Sequence, residues 1–128
     1  MLKPGHLFFD YFEYSEFDSP DVKGSGKRMN DTFLLKLLKG RLIADTPFII
    51  TRGYNTPLYA NKKFGTDDSS HVRGLGVDIA CDNSVLRYVI VMALLSVGFD
   101  RIGIYDKHIH VDIDLDRHPE VLWIGVSK

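Results

Sequence analysis

The sequence predicts an α+β fold built on a small antiparallel sheet, and three observations carry that expectation. Apolar residues recur at helical spacing in two stretches, from Phe33 to Leu42 and from Leu86 to Leu94. Strict period-two alternation marks Leu75 to Ile79 and His108 to Ile113. Asp106-Lys107 separates two strand-like runs by the two residues of a tight hairpin.

Taken in order, Phe8-Phe9-Asp10-Tyr11-Phe12-Glu13-Tyr14 reads as an irregular arm that packs aromatics onto the core. Asp21 to Arg28 reads as a flexible polar loop. Its Gly-Ser-Gly-Lys-Arg segment lacks a phosphate-loop pattern, because Asp21 and Arg28 stand where the glycine and the Ser or Thr are required. Asn30 or Asp31 caps a helix through about Ile43, with Phe33, Leu34, Leu37, Leu38 and Leu42 toward the core. Phe48 to Thr51 is a short strand, closed by a turn at Gly53 and Asn55-Thr56-Pro57. Leu58 to Phe64 forms a short helix before the polar loop from Gly65 to Ser70. In the next strand Leu75, Val77 and Ile79 share one face, and Gly74, Gly76, Asp78 and Ala80 the other. Asp82 or Asn83 caps a second helix through about Val97, ended by Gly98, whose Leu86, Val89, Ile90, Ala93 and Leu94 pack on the sheet. Arg101 to Tyr105 and His108 to Ile113 pair as a hairpin, and Val121 to Ile124 is a final strand.

A chain of 128 residues with 45% hydrophobic and 26% charged residues fits one domain, 1–128, able to bury a core without staples. With 16 basic against 17 acidic residues it lacks the positive excess that holds nucleic acid, so no nucleic-acid partner is expected. The lone Cys81 excludes an internal disulfide and a four-cysteine zinc site, so any metal is held by His and carboxylates. Asp10 and Glu13 interrupt the first apolar stretch, which argues against a signal peptide and for synthesis in the cytoplasm. The apolar run from Tyr88 to Leu95 is too short to span a bilayer, so no membrane insertion is expected.

The alternation in His108 to Asp114 places Ile109, Val111 and Ile113 toward the core and His108, His110, Asp112 and Asp114 on the opposite face. If this strand lies beside the one carrying Asp78, imidazoles and carboxylate meet in one cleft, and Gly74 and Gly76 leave room for an ion. His71, seven residues before Asp78, can fold over the same spot. Two imidazoles and a carboxylate with an open position form a recurrent catalytic zinc arrangement. His71 alone would read as a surface histidine and Asp78 alone as a strand-end carboxylate; their joint spacing with His110 lifts the metal reading. Asp112-x-Asp114-x-Asp116 begins like a calcium loop, but Arg117 and Trp123 occupy its glycine and glutamate positions, which discards calcium. His6 and His118 are expected in solvent, and Trp123 in packing.

Three blocks, Thr51-Arg52-Gly53-Tyr54-Asn55, Ser69 to Ile79 and His108 to Asp112, resemble the zinc D-alanyl-D-alanine carboxypeptidases of the hedgehog/DD-peptidase fold, over about residues 8 to 115. The resemblance implies helices packed on one face of the sheet and a zinc cleft on the other. It also implies one zinc ion held by His71, Asp78 and His110, with His108 as catalytic acid/base. Asp112 is expected to orient a ligand from behind, and Ser69, Arg73 and Tyr54 to meet the substrate, although a tyrosine such as Tyr54 more often packs. The family reads Ser-Gly-Tyr-Arg where this chain has Arg52-Gly53-Tyr54-Asn55, so its substrate-contacting arginine is missing at Asn55. Arg52 supplies the guanidinium if the turn at Gly53 directs it inward; Arg73 is the second choice.

The function expected is zinc-dependent hydrolysis of peptide bonds in peptidoglycan stem peptides, by a D-Ala-D-Ala carboxypeptidase or related endopeptidase. The alternative is a zinc-containing binding module of the same fold with weak or no catalysis. A monomer is expected. A compact lysin-like domain suggests a phage protein that reaches the cell wall after lysis or as part of a virion, with virion proteins as further partners.

Overall fold

Aromatic side chains near the N-terminus seed the core in the computed structural model, which describes residues 1–126. The arm is organised by 3-10 turns at Leu7–Asp10 and Tyr14–Phe17. His6, expected in solvent, caps the first, its Nδ1 accepting from the Phe8 N–H at 2.9 Å. Glu13 and Glu16 close a capping box on the second. These turns bring Phe8, Phe12 and Phe17 together with no more than 1% exposure each, their ring centroids 5.3 to 6.2 Å apart. The segment after them is less irregular than its composition predicts. Asp18 accepts from the backbone N–H groups of Gly24 and Gly26 at 3.0 and 2.7 Å, which holds Ser25–Arg28 as a third 3-10 turn.

Helix α1 (Asp31–Ala44) starts where the Asn30 side chain accepts from the Phe33 N–H. Phe33, Leu34, Leu37 and Leu38 are buried, but Leu42 is 41% exposed, against expectation. At 100° per residue Leu42 lies about 110° from the centre of that apolar face, too far round to reach the core. Pro57 at the first turn and the Thr56 cap set helix α2 (Pro57–Phe64). Helix α3 (Ser84–Ser96) is capped by Asn83; it packs chiefly along α1 and meets the sheet at β4, with Ile90, Ala93 and Leu94 buried. No helix among the described residues is long and apolar enough to cross a membrane.

Five strands, β1 (Ile50–Arg52), β2 (Gly76–Ala80), β3 (Arg101–Ile104), β4 (His108–Asp112) and β5 (Val121–Ile124), form one sheet in the order β1-β2-β4-β3-β5. The first four in that order pair antiparallel, as expected, with β3 and β4 joined through Asp106-Lys107. Strand β5 runs parallel to β3, so the whole sheet is mixed. The reason is topological. Both edges of β4 are taken by β2 and β3, so the chain leaving β4 next to the start of β3 must run up the free edge of β3 in the same direction. Val77, Ile79, Ile102, Ile109 and Val111 join the helices and the arm in one buried cluster.

The arm is fastened to the turn after β1. Tyr54 N–H donates to the Phe17 carbonyl at 2.8 Å. A Cβ on Gly53 would sit 2.5 Å from Phe17 Cα, so only glycine permits this approach. Phe17→Ala should therefore lower unfolding free energy by about 3 to 5 kcal/mol, as other buried Phe truncations do. Urea denaturation followed by circular dichroism checks this, and a loss under about 1 kcal/mol would show that the arm is not part of the core.

Candidate functional site

The face of β2 and β4 turned away from the helices carries the polar side chains, and the strand register decides which of them meet. Asp78 lies opposite His110, Ala80 opposite His108 and Gly76 opposite Asp112. Cross-strand partners project to the same side, so the pairing converts an alternating sequence into a cluster. Arg52 lies opposite Asp78 on the other edge of β2. His71 comes from the loop before β2. That loop is clasped by the turn after β1: His71 Nδ1 is 2.9 Å from the Gly53 carbonyl, and the Asn55 N–H donates to the His71 carbonyl at 3.2 Å. Ser69 completes the loop, its Oγ accepting from the His71 N–H at 3.1 Å.

His71, Asp78 and His110 offer ligand atoms that all lie within 4.8 Å of one another. His71 Nε2 is 3.4 Å, and His110 Nδ1 2.8 Å, from Asp78 Oδ1. Tetrahedral zinc with bonds of about 2.0 to 2.1 Å sets its ligand atoms about 3.3 Å apart, which matches the His71–Asp78 separation, while His110 and Asp78 stand at hydrogen-bond distance. The donor chemistry fits as well. A carbonyl only accepts, so the Gly53 contact assigns the His71 proton to Nδ1 and leaves a lone pair on Nε2 of the neutral ring. Burial favours that neutral form by pushing the His71 pKa down, a shift Asp78 only partly opposes. A lone pair then faces a carboxylate oxygen, an arrangement whose natural partner is a cation. A metal here would be held by His71 Nε2, Asp78 and His110 Nδ1.

Asp112 stands behind His110, its Oδ2 2.7 Å from His110 Nε2, and is itself held by Arg101 Nε at 2.6 Å. Burial alone would raise the Asp78 and Asp112 carboxyls, but hydrogen bonds outweigh it and hold both below the usual carboxylate range: from His110 for Asp78, and from His110 and Arg101 for Asp112. His110 is raised for the converse reason, because the two carboxylates outweigh its desolvation. Asp112 thus fixes which ring nitrogen of His110 faces the cluster. The glycines act differently from expectation. A Cβ on Gly76 would lie 2.6 Å from Ser70 Oγ and 2.9 Å from Asp112 Cβ, so the space it leaves is filled by these side chains and not by an ion. Gly74 packs against the Arg28 to Asn30 backbone.

A cleft of about 630 Å³ opens over the cluster, lined by Thr51, Arg52, Ser69, His71, Asp78, His108 and His110 among the residues discussed. His108 Nε2 is 3.6 Å from Asp78 Oδ2, and its ring stacks on Tyr105 at 4.3 Å. Two expected substrate contacts are not brought there. The Arg73 guanidinium is bound by Asp114 at 2.9 Å and by Asp68 and Asp116, a network that ties the ligand loop to the segment after β4. Tyr54 is buried in the core beside the Arg28 guanidinium. Conversely, Phe64, Tyr105, Lys107 and Trp123 line the cleft although the motifs did not single them out. Trp123, expected in packing, reaches the cleft: its ring lies 5.6 Å from that of His110, and its N–H donates to Tyr105 Oη at 3.2 Å. The signal available was Gly103, a glycine inside a strand: it pairs with Trp123, whose indole occupies the place of a Cβ.

This geometry makes two predictions about metal content. His110→Ala should abolish stoichiometric zinc in the purified protein, read by inductively coupled plasma mass spectrometry. Asp112→Asn should keep the ligand set but weaken zinc affinity by about 10- to 100-fold, read by chelator competition. Unchanged affinity in both variants would remove this cluster as the metal site.

The chain matches no curated protein and no solved structure. Residues 11–114 match the family model described as Peptidase M15, a span that contains Phe12 and Phe17 of the arm, both clasped loops and every residue of the His71, Asp78 and His110 cluster. M15 peptidases are zinc-dependent and act on peptides, in keeping with a buried two-histidine, one-carboxylate cluster open to a cleft. The chain belongs to the Peptidase M15 family, the zinc D-Ala-D-Ala carboxypeptidase type.

Proposed function

We propose that residues 1–128 act as one zinc peptidase domain that hydrolyses a peptide bond of peptidoglycan stem peptides, as a D-Ala-D-Ala carboxypeptidase or related endopeptidase. The observation that carries this reading is the convergence, in a single cleft, of the His71, Asp78 and His110 cluster with a separate imidazole, His108, and a guanidinium, Arg52. The metal, when bound by the three ligands, supplies Lewis acidity and an activated water. The side chains of this chain supply the rest.

His108 faces the same carboxylate as the ligands without belonging to the tight cluster, which suits a group that takes the proton of the attacking water and passes it to the leaving amine. Stacking on Tyr105 holds its ring in place during both transfers. Arg52 puts a fixed positive charge beside the cluster, where negative charge develops on the carbonyl oxygen or where a terminal carboxylate would rest. Phe64, Tyr105 and Trp123 give the cleft apolar walls against which a substrate can pack. The cationic donor favours the enzyme over a non-catalytic module, because the guanidinium that Asn55 lacks is provided from position 52.

Incubation with muropeptides, with and without chelator, followed by mass spectrometry, should show metal-dependent loss of a stem-peptide residue or a cross-link. His108→Ala should retain zinc and lower turnover by on the order of a hundredfold or more, the usual contribution of general acid/base catalysis. Parallel loss of zinc and activity would make His108 a ligand. A zinc-loaded wild type that cleaves no muropeptide would establish the binding module instead.

A further inference from the structure

Asn55 is only 1% exposed, and the catalytic reading leaves its side chain without a task. We propose that Asn55 and Phe64 are positioning residues that hold the Arg52 guanidinium over the metal cluster, oriented to receive a substrate carbonyl or terminal carboxylate. This inference rests on the peptidase reading above.

Both halves of the Asn55 amide are engaged. Its Nδ2 donates to the Tyr54 carbonyl at 3.0 Å, which fixes the rotation of the amide and aims Oδ1 at Arg52 Nε, 2.5 Å away. A flipped amide would set donor against donor at Arg52 and acceptor against acceptor at Tyr54. Phe64, at the end of α2, lies beneath the guanidinium, with Arg52 Cζ 3.9 Å from the ring centroid. The two contacts take the Nε edge and one flat face of the fork. Among the described residues no hydrogen bond takes the Nη end, and paired Nη donors suit the two oxygens of a carboxylate.

The chemistry of the holding groups also matters. An amide and a phenyl ring fix the guanidinium without a formal negative charge, so the site keeps the whole cation. Arg73 is the contrast in the same molecule: Asp68, Asp114 and Asp116 hold it, and it is spent on structure. Burial lowers the pKa of Arg52 against the pull of Asp78, but a guanidinium stays protonated at working pH. The substitution pattern is therefore a relocation: the donor enters from strand β1, opposite Asp78, and the residue three positions later holds it.

The test is a double-mutant cycle on the zinc-loaded full chain, with kcat and KM measured on a stem pentapeptide ending in D-Ala-D-Ala and zinc content and thermal midpoint measured alongside. Arg52→Ala should lower kcat/KM by about a hundredfold or more, as loss of a charge-stabilising donor does. Asn55→Ala and Phe64→Ala should lower it by roughly tenfold and threefold, with zinc retained. In the Arg52→Ala background both losses should shrink to within about twofold, because residues acting through one group are not additive. A merely structural role would persist without Arg52, so losses of full size in that background overturn the proposal, as does full activity of both single variants. If Asn55→Ala fails to fold, Phe64→Ala decides alone, since Phe64 is 46% exposed and tolerates truncation. If the wild type cleaves no peptide, the peptidase reading fails separately, and calorimetric binding of acetyl-D-alanyl-D-alanine decides this one. Binding that weakens in Arg52→Ala with the same non-additivity supports it, and absent or unaltered binding overturns it.

Discussion

The Asp78 carboxylate is buried midway along β2 and kept ionised there, and most of the polar architecture answers that constraint. A lone carboxylate withdrawn from water takes up a proton, because desolvation penalises the charged form. Here the charge is sustained by the His110 imidazole from the neighbouring strand, while His71 reaches the same oxygen from the preceding loop with a lone pair that calls for a cation. Neither imidazole would hold its position alone. Asp112 and Arg101 stand behind His110, and the Gly53 carbonyl stands behind His71, so each imidazole is oriented by a partner outside the cleft.

Charge alternates along this chain of contacts, from Arg101 through Asp112 and His110 to Asp78, and the order explains why three acidic residues close in sequence have different fates. Asp112 reaches His110. Asp114, 2% exposed, turns instead to Arg73 and Arg117 and anchors the loop that carries His71. Asp116 is an exposed member of the same network. Pairs of a buried carboxylate with partly exposed guanidiniums are a weak source of net stability, since desolvation offsets much of the attraction, but breaking them would leave the buried Asp114 charge unpaired. Their consequence in this fold is geometric: they tie the loop that carries His71 to the segment after β4.

The N-terminal arm takes part in the same constraint from beneath. Phe17 lies against Gly53, and Gly53 presents its carbonyl to His71, so the aromatic core of the arm and the metal cluster share one peptide unit. The following residues of that turn place Arg52 and Asn55 side by side. The four residues from Arg52 to Asn55 thereby join the hydrophobic core, the His71 tautomer and the Arg52 guanidinium.

Much of this was written in local sequence. Period-two alternation located Asp78, His108, His110 and Asp112 on one face, and caps and apolar spacing placed α1, α2 and α3 to within a few residues, because a residue's face in a helix or strand is fixed by backbone period alone. The joint spacing of His71, Asp78 and His110 pointed to one site, and the fold brings their side chains within 4.8 Å of one another. Other features depended on which strands became neighbours. The parallel placement of β5 followed from which sheet edge remained free, and it brought Trp123 to the cleft. The inward direction of Arg52 followed from its register opposite Asp78, whereas Arg73, nearer the ligands in sequence, was captured by aspartates from a distant segment. Sequence periodicity determines the face on which a side chain emerges; only long-range pairing decides what it meets there, because cross-strand neighbours and ion partners are set by register and topology and not by separation along the chain.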